Sequence, residues 1–483
     1  MLCEATNKAL ASPPRAPDGG SGVGCGGILV AYVAGGPPPV RMRSRLRHPL
    51  AAVVLTLLLT VPWLWLAVSY GGYGAVHVGE NVAAGTAVLV AGVAILGAAF
   101  LLAWAAETAE KDVPRAFAIA VLAVLAVAPE YAVDALYAWQ AGAGSADAAN
   151  LAIANMTGAN RILIGLGWAG IALFSIYRAK SAEDSAVEKR EGFLADAVTL
   201  DRSIAIEITF LLAATAYAFV VPIGGIGPLD TLFLVGLYVC YLLIVVRGDV
   251  EEPEAHVGVP AYFQNYPRLP RVALVLVGFA FSGAIIFTAV HPFAEGLETL
   301  GLQYGVPEFF MIQWVAPLAS ESPELVVVAY LVNKARSTAG FNALISSKLN
   351  QWTLLVGTLA VVYSISAGAI GALPFDTKQA VEIWVTAAQS FFAIAILTNF
   401  EIDAREAVAL LTLFSTQVLA EFYVIRTYAE PAATEVSITI LYAYTAVYLV
   451  LGGALFYLRR DSVQRLLRTT LRDARGALLG GGR

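Results

Sequence analysis

Charged residues, cysteine and histidine are all scarce in this 483-residue chain. Only 14% of the residues are charged, whereas soluble domains usually contain about 25%. The three cysteines, Cys3, Cys25 and Cys240, provide neither a disulfide framework nor a metal-ligand spacing. The four histidines are isolated, and the chain has no EF-hand spacing, nucleophile motif or glycine-rich phosphate loop. We therefore expect no enzyme activity, no bound cofactor and no nucleic-acid partner.

Long apolar runs dominate the chain between residues 50 and 458, and 58% of all residues are hydrophobic, with a mean hydropathy of +0.72. About 20 apolar residues in a helix cross the hydrocarbon core of a bilayer, whereas barrel strands alternate over about ten residues. The pattern predicts an all-α polytopic membrane protein. Its roughly twelve transmembrane helices are predicted at 50–69, 82–105, 115–138, 149–176, 203–222, 229–246, 271–292, 309–332, 341–366, 381–399, 405–427 and 436–458.

Basic residues are unevenly distributed between the two sets of connecting loops. If the N-terminus is inside, the outer loops carry a single basic residue, Lys378. The inner loops and the tail carry Arg178, Lys180, Lys189, Arg190, Arg202, Arg247, Arg268, Lys334, Arg336, Arg405, Arg459, Arg460, Arg465, Arg468 and Arg472. Cytoplasmic loops of membrane proteins are enriched in lysine and arginine. We therefore predict that both termini are cytoplasmic and that the lipid bilayer is the plasma membrane.

The two ends of the chain differ from its middle. Residues 1–41 are rich in glycine, proline and serine and are predicted to be a disordered extension, and Met42 begins a basic stretch typical of a cytoplasmic N-terminus. The other predicted segments are an extra span in 42–80, a first half in 81–247, a cytoplasmic loop in 248–270, a second half in 271–427, an extra span in 428–458 and a basic cytoplasmic tail in 459–483. The tail is expected to rest on anionic lipid.

Two short stretches repeat one another: residues 126–130 read AVAPE and residues 320–324 read SESPE. About one helix later, each is followed by small and polar residues, GAN at 158–160 and SSK at 346–348. An ionisable group inside a bilayer costs several kcal/mol and is a functional-site hypothesis by default. The alternative is that each glutamate is protonated or hydrogen-bonded across a helix interface.

The predicted topology makes the two stretches inverted. The span with Glu130 runs from inside to outside, and the span with Glu324 runs the other way. Each glutamate lies roughly 15 residues into its span, which at 1.5 Å per residue places both in the middle third of the bilayer. Inverted repeats with polar groups at the midplane are typical of secondary transporters.

These motifs resemble those of the cation/calcium exchanger superfamily, the sodium/calcium exchangers and their relatives. That family has two inverted repeats around a ten-helix core, each with a Gly-Thr-Ser-Leu-Pro-Glu-like motif followed by a Gly-Ser-Asn-Ile-Phe-Asn-like motif. The resemblance implies a core at about 82–427, Ca²⁺ coordination by Glu130 and Glu324, and sodium binding by neighbouring hydroxyl and amide oxygens. The matching positions with polar side chains are Asn160, Ser320, Glu321, Ser347 and Gln351.

The chain departs from the family pattern at the sodium positions. The Thr-Ser pair of the first motif falls on Ala126 and Val127, which have no hydroxyl, and Lys348 takes an asparagine position. An ammonium group has no acceptor and cannot coordinate a cation. Lys348 could instead compensate charge beside Glu321 or Glu324, or face a polar crevice and snorkel outward. If Glu130, Glu321 and Glu324 are all ionised and Lys348 is charged, the site has a net charge of −2, which suits one divalent cation.

Other charged residues within the predicted spans are given simpler roles. Asp134 follows Glu130 by one helical turn and is a possible proton or ion relay toward the outer mouth. Arg161 is expected to turn away from the site and to pair with an acid such as Asp134 or Glu207.

Two glutamates in the last third of the chain are read as structural. Glu382 is expected to be interfacial, because it lies near the start of its predicted span. Glu421 lies deeper and is expected to pair with Arg426 or with a backbone group.

The sequence therefore predicts a secondary active cation antiporter that works by alternating access. The transported ions are small inorganic cations, Ca²⁺ in exchange for Na⁺ or H⁺, and the missing sodium ligands favour H⁺. The alternative is an exchanger-fold transporter with a changed substrate or with lost sodium coupling.

Overall fold

The computed structural model describes residues 48–109, 111–112, 127–180, 184–247, 258–306, 308–333 and 335–479. The predicted extension, residues 248–257 of the predicted loop and residues 115–126 of the third predicted span lie outside these ranges. One compact unit begins at Ala52; the unit before it, Met1–Ala51, is described only at its last residues, where the first helix starts.

Each of the twelve predicted spans overlaps a helix. The helices are α1 Pro49–Ser69, α2 Ala84–Ala109, α3 Ala128–Gly142, α4 Ala146–Ile162, α5 Ala169–Arg178, α6 Ala205–Ala218, α7 Pro228–Arg247, α8 Val259–Gln264, α9 Arg268–Tyr304, α10 Glu308–Phe310, α11 Ala316–Asn333, α12 Ser337–Asn350, α13 Val356–Ala367, α14 Thr377–Leu397, α15 Ala404–Thr427, α16 Ala432–Leu458 and α17 Arg460–Leu479. Helix α9 runs well past its predicted end at 292, through Pro292 and the segment read as an outer loop.

Three of the spans contain a π-helical segment. Leu163–Trp168 joins α4 to α5, Met311–Val315 joins α10 to α11, and Gln351–Leu355 joins α12 to α13. Such segments are rare and occur frequently at functional sites. Two of them directly follow the polar helices of the two repeats, so the same irregularity occurs at corresponding places in the two halves.

The helices differ in how much of their surface the protein covers. In the described part of the chain, eight helices are long and apolar enough to cross a membrane. Five of them are 28% buried or less along their apolar window, whereas the helix over Asp147–Arg178 is 72% buried and α14 is 83% buried. The polar helices thus occupy the centre of the bundle, and apolar helices surround them.

Short polar elements connect the helices at the predicted inner side. Strands β1 Val187–Glu188, β2 Ala197–Thr199 and β3 Glu401–Asp403 form an antiparallel sheet in the order β1-β2-β3. The tail forms α17, which packs on α6: the Thr470 hydroxyl donates to the Ala205 carbonyl at 2.9 Å. The tail that we expected on lipid therefore has one face on the protein.

Helix α4 approaches the chain before α11 very closely at Gly158. A Cβ atom built there would lie 1.7 Å from the backbone carbonyl oxygen of Gln313. Backbone atoms cannot give way as the end of a side chain can. Only glycine fits this position, and small residues are what allow membrane helices to pack this closely.

We predict that Gly158→Ala destabilises the protein by at least the roughly 1–3 kcal/mol typical of overpacking. The matched control is Gly170→Ala in α5, where nothing lies within 4 Å of the added methyl group. Thermal unfolding of both purified variants in detergent measures the difference. Equal melting temperatures for the two variants would contradict the close packing.

Candidate functional site

The two motif glutamates are brought together across the boundary between the repeats. Glu130 lies in the first turn of α3, where backbone N–H groups favour a carboxylate. It is 2% exposed. Ser320 of α11 donates a hydrogen bond to Glu130 Oε1 at 2.9 Å. A residue of each repeat is therefore in direct polar contact with the other.

Glu321 lies between the two motif glutamates. It is 2% exposed, and its carboxyl group is in hydrogen-bonding contact with those of Glu130 and Glu324. Gln351 Nε2 donates to Glu321 Oε1 at 2.5 Å, and the Ser347 hydroxyl donates to Glu324 Oε2 at 2.9 Å. We call Glu130, Glu321 and Glu324 the carboxyl row.

The carboxyl row has a simple chemical requirement. An ionised carboxylate only accepts hydrogen bonds, so two carboxyl groups can bond to each other only if one carries a proton. In the described residues, no group of three or more histidine, cysteine, aspartate or glutamate side chains is arranged to hold a metal ion. Glu321 contacts both of the other carboxyl groups, and such carboxyl–carboxyl contacts suit protons.

Lys348 lies in the site but not beside the acid that we expected. Its Nζ donates to Asn160 Oδ1 at 2.7 Å and to the Asn160 carbonyl at 3.3 Å. The ammonium also lies 4.4 Å from the centre of the Trp352 ring, a favourable cation–π distance. Glu321 acts on Lys348 electrostatically. The expected direct pairing with Glu321 or Glu324 is replaced by this contact with α4.

All the predicted polar site residues thus lie in one connected region. The predicted roles remain predictions, but the positions support them. The residues that interact with one another there are Glu130, Asn160, Ser320, Glu321, Glu324, Ser347, Lys348 and Gln351.

Asp134, the possible relay, lies one turn beyond Glu130 and is fully buried. Asn155 Nδ2 donates to Asp134 Oδ1 at 2.8 Å. Asp134 Oδ2 and Asn155 Oδ1 have no hydrogen-bond partner among the described residues. Asn155 was missed from the sequence, although it lies on the polar helix α4 about one turn before Asn160.

Arg161 has a different partner from the ones that we expected. Its Nη1 lies 2.5 Å from Glu382 Oε2, and the two side chains are 1% and 0% exposed. The guanidinium also lies 4.7 Å from the centre of the Trp314 ring. The expected pairing with Asp134 or Glu207 is therefore wrong, and Glu382, which we expected to be interfacial, is enclosed by the protein. A buried arginine requires an acid, but the sequence does not tell which distant helix provides it.

Glu421 does not pair with Arg426. Arg426 Nη1 donates to the Tyr304 carbonyl at 2.9 Å. Glu421 is 1% exposed and interacts electrostatically with Glu382, Arg161 and Lys378. We call these four residues the arginine cluster.

Comparison with known proteins agrees with this architecture. The family model described as sodium/calcium exchanger protein matches residues 82–247 and 274–423. The solved structure of the H⁺/Ca²⁺ exchanger CAX is 41% identical, with a TM-score of 0.76 over 88% of this chain and 98% of that chain. The structure of native YfkE is 14% identical, with a TM-score of 0.50 over 77% of this chain and 97% of that chain, and shows likeness of fold. A search of curated proteins gave no significant match.

The fold and the buried carboxyl groups define a polytopic membrane antiporter with two inverted repeats. The chain belongs to the sodium/calcium exchanger family. The predicted fold and the predicted class, an integral membrane cation/calcium antiporter, are confirmed.

We predict that Lys348→Met raises the Ca²⁺ affinity of the purified protein on the order of tenfold at constant pH, because it removes a positive charge that acts on Glu321 of the carboxyl row. Equilibrium Ca²⁺ binding measures the change. The matched control, Lys180→Met, removes the same charge from an exposed position and should leave the affinity unchanged. An unchanged affinity in Lys348→Met would show that Lys348 does not act on the cation site.

Proposed function

We propose that this antiporter exchanges Ca²⁺ for protons, and that the carboxyl row binds both. The observation that carries the proposal is the hydrogen-bonding contact of Glu321 with both Glu130 and Glu324. Two such contacts hold about two protons, one for each carboxyl–carboxyl hydrogen bond. One Ca²⁺ carries the same charge as two protons. The row and Lys348 would then have the same net charge with either cargo.

The same oxygen atoms cannot serve both cargoes at once. Ca²⁺ is bound by six to eight oxygen atoms at about 2.3–2.6 Å, usually including carboxylates. A carboxyl oxygen that holds a proton toward its neighbour must lose that proton to become a calcium ligand. Binding of Ca²⁺ to the row therefore expels protons, and protonation expels Ca²⁺. Such competition for one site is what an antiporter requires.

The same residues provide few oxygen ligands for sodium. Val127, at a family hydroxyl position, has no side-chain oxygen, and the side-chain oxygen of Asn160 accepts a hydrogen bond from Lys348. Likeness to a protein described as an H⁺/Ca²⁺ exchanger supports the same choice of counter-ion.

We also propose that both termini are cytoplasmic and that the protein acts in the plasma membrane. The orientation is supported by the basic residues of α17 and of the predicted inner loops. In this orientation, α14 begins and α15 ends at the outer face.

We predict Ca²⁺ uptake into proteoliposomes when an outward proton gradient is imposed, and much less uptake with an outward sodium gradient. Glu324→Gln should abolish uptake, because it removes one carboxylate of the row. Glu435→Gln is the matched control, since Glu435 is exposed at the start of α16. Uptake driven only by sodium would refute proton coupling. Lack of uptake with either gradient would favour a changed substrate.

We further predict that Ca²⁺ binding by purified protein releases about two protons in weakly buffered detergent solution. Glu321→Gln should reduce the release to one proton or fewer, because both carboxyl–carboxyl contacts of the row include Glu321. The apparent Ca²⁺ affinity should rise with pH, since high pH removes the competing protons. Equal proton release by the wild type and by Glu321→Gln would contradict the role of the row.

A further inference from the structure

The arginine cluster is a second set of ionisable groups inside the bundle. Arg161, Glu421 and Glu382 are 1% exposed or less, and Lys378 is 7% exposed. They come from three different helices: α4, α14 and α15. Burying charged side chains among membrane helices is costly. The family motifs that supply the carboxyl row do not include these four residues.

Glu421 differs from the other members in its hydrogen bonds. Arg161 and Glu382 form the ion pair described above. No donor lies within hydrogen-bonding distance of either buried carboxyl oxygen of Glu421 among the described residues, and its carboxyl group contacts that of another acid, Glu382. A buried carboxylate without donors is strongly disfavoured. A proton on Glu421 removes this penalty.

The surroundings of Glu421 allow either protonation state. Arg161 and Lys378 bring two positive charges to Glu421, and Glu382 brings one negative charge. With all four groups ionised, the cluster is neutral; with Glu421 protonated, its net charge is +1. Tyr448 of α16 also interacts electrostatically with Arg161. The cluster can therefore gain or lose one proton without breaking the ion pair between Arg161 and Glu382.

Lys378 connects the cluster with one end of the bundle. It lies in the first turn of α14, next to the N-cap residue Asp376. It interacts electrostatically with Glu421 on one side and with Asp376 and Glu430 on the other. Asp376 and Glu430 lie in the loops before α14 and before α16. In the proposed orientation, this is the outer end.

Arg161 connects the cluster with the carboxyl row. It directly follows Asn160, which holds Lys348 through both its side-chain oxygen and its carbonyl. Glu321 in turn acts on Lys348. A change of charge at Glu421 thus acts electrostatically on Arg161. Arg161 is next in sequence to Asn160, which binds Lys348, the only lysine described in the site.

We propose that Glu421 is a proton-binding site separate from the carboxyl row, loaded from the end of the bundle where α14 begins, and that its charge modulates cation binding through Arg161. Protonation of Glu421 adds positive charge near the row and so weakens Ca²⁺ binding. The protein would then sense the pH at the outer face independently of the protons that it transports.

The test uses the full-length protein with two readouts. The first is infrared titration of the carboxylic C=O band in the absence of Ca²⁺. The wild type and the control Glu435→Gln, at an exposed position of α16, should share a titrating component that Glu421→Gln lacks and that Glu421→Asp restores. The same titrating band in the wild type and in Glu421→Gln would overturn the proposal. This readout does not depend on transport, so it is decisive even if Ca²⁺/H⁺ exchange is not observed.

The second readout is the Ca²⁺ Kd as a function of pH. Because linked protons set the slope of log Kd against pH, the slope should fall by up to one in Glu421→Gln, whose amide mimics the protonated acid. A merely structural role for Glu421 would leave this slope unchanged. If Glu421→Gln does not purify as folded protein, Lys378→Met is titrated instead, and the band should persist to higher pH. A band unaffected by Lys378→Met would overturn the proposal.

Discussion

The hydrogen bond from Ser320 to Glu130 joins the two inverted repeats inside the bundle. Glu130 also contacts Glu321, and Glu321 contacts Glu324. The carboxyl row therefore crosses the boundary between the halves and cannot form within either half alone. Both halves must present an acid at the same depth, and each must bring a polar helix beside it. The position of α4 beside α3, and of α12 beside α11, follows from this requirement.

The polar centre determines where the apolar helices lie. Helix α14 and the helix over Asp147–Arg178 carry buried amides and charges and are largely enclosed. Lipid cannot hydrogen-bond such groups, so other helices must cover them. Helices α1 and α16 expose apolar side chains to the exterior. The extra spans before and after the ten-helix core thus enlarge the apolar surface around the polar centre.

The sequence predicted the carboxyl row because its signal is local: a Pro-Glu pair in an apolar run, repeated once. Ser320, Ser347 and Gln351 could be added because the two repeats correspond to each other. The partner of Lys348 could not be predicted, since it depends on how α4 and α12 are rotated about their axes. The partner of Arg161 lies 221 residues away on α14, and no local pattern links the two. Long-range ion pairs are set by packing, which spacing alone does not reveal.

Adjacent residues of α4 serve the two polar sites. Successive residues of a helix point about 100° apart, so Asn160 faces Lys348 while Arg161 faces Glu382. A shift or rotation of α4 relative to its neighbours must alter both contacts together. Breaking the buried pair of Arg161 and Glu382 would leave two uncompensated charges, so α4 is more firmly tied to α14 than to α12. Movement that opens the carboxyl row is therefore expected to take α12 and α11 away from α4, and to leave α4 and α14 together.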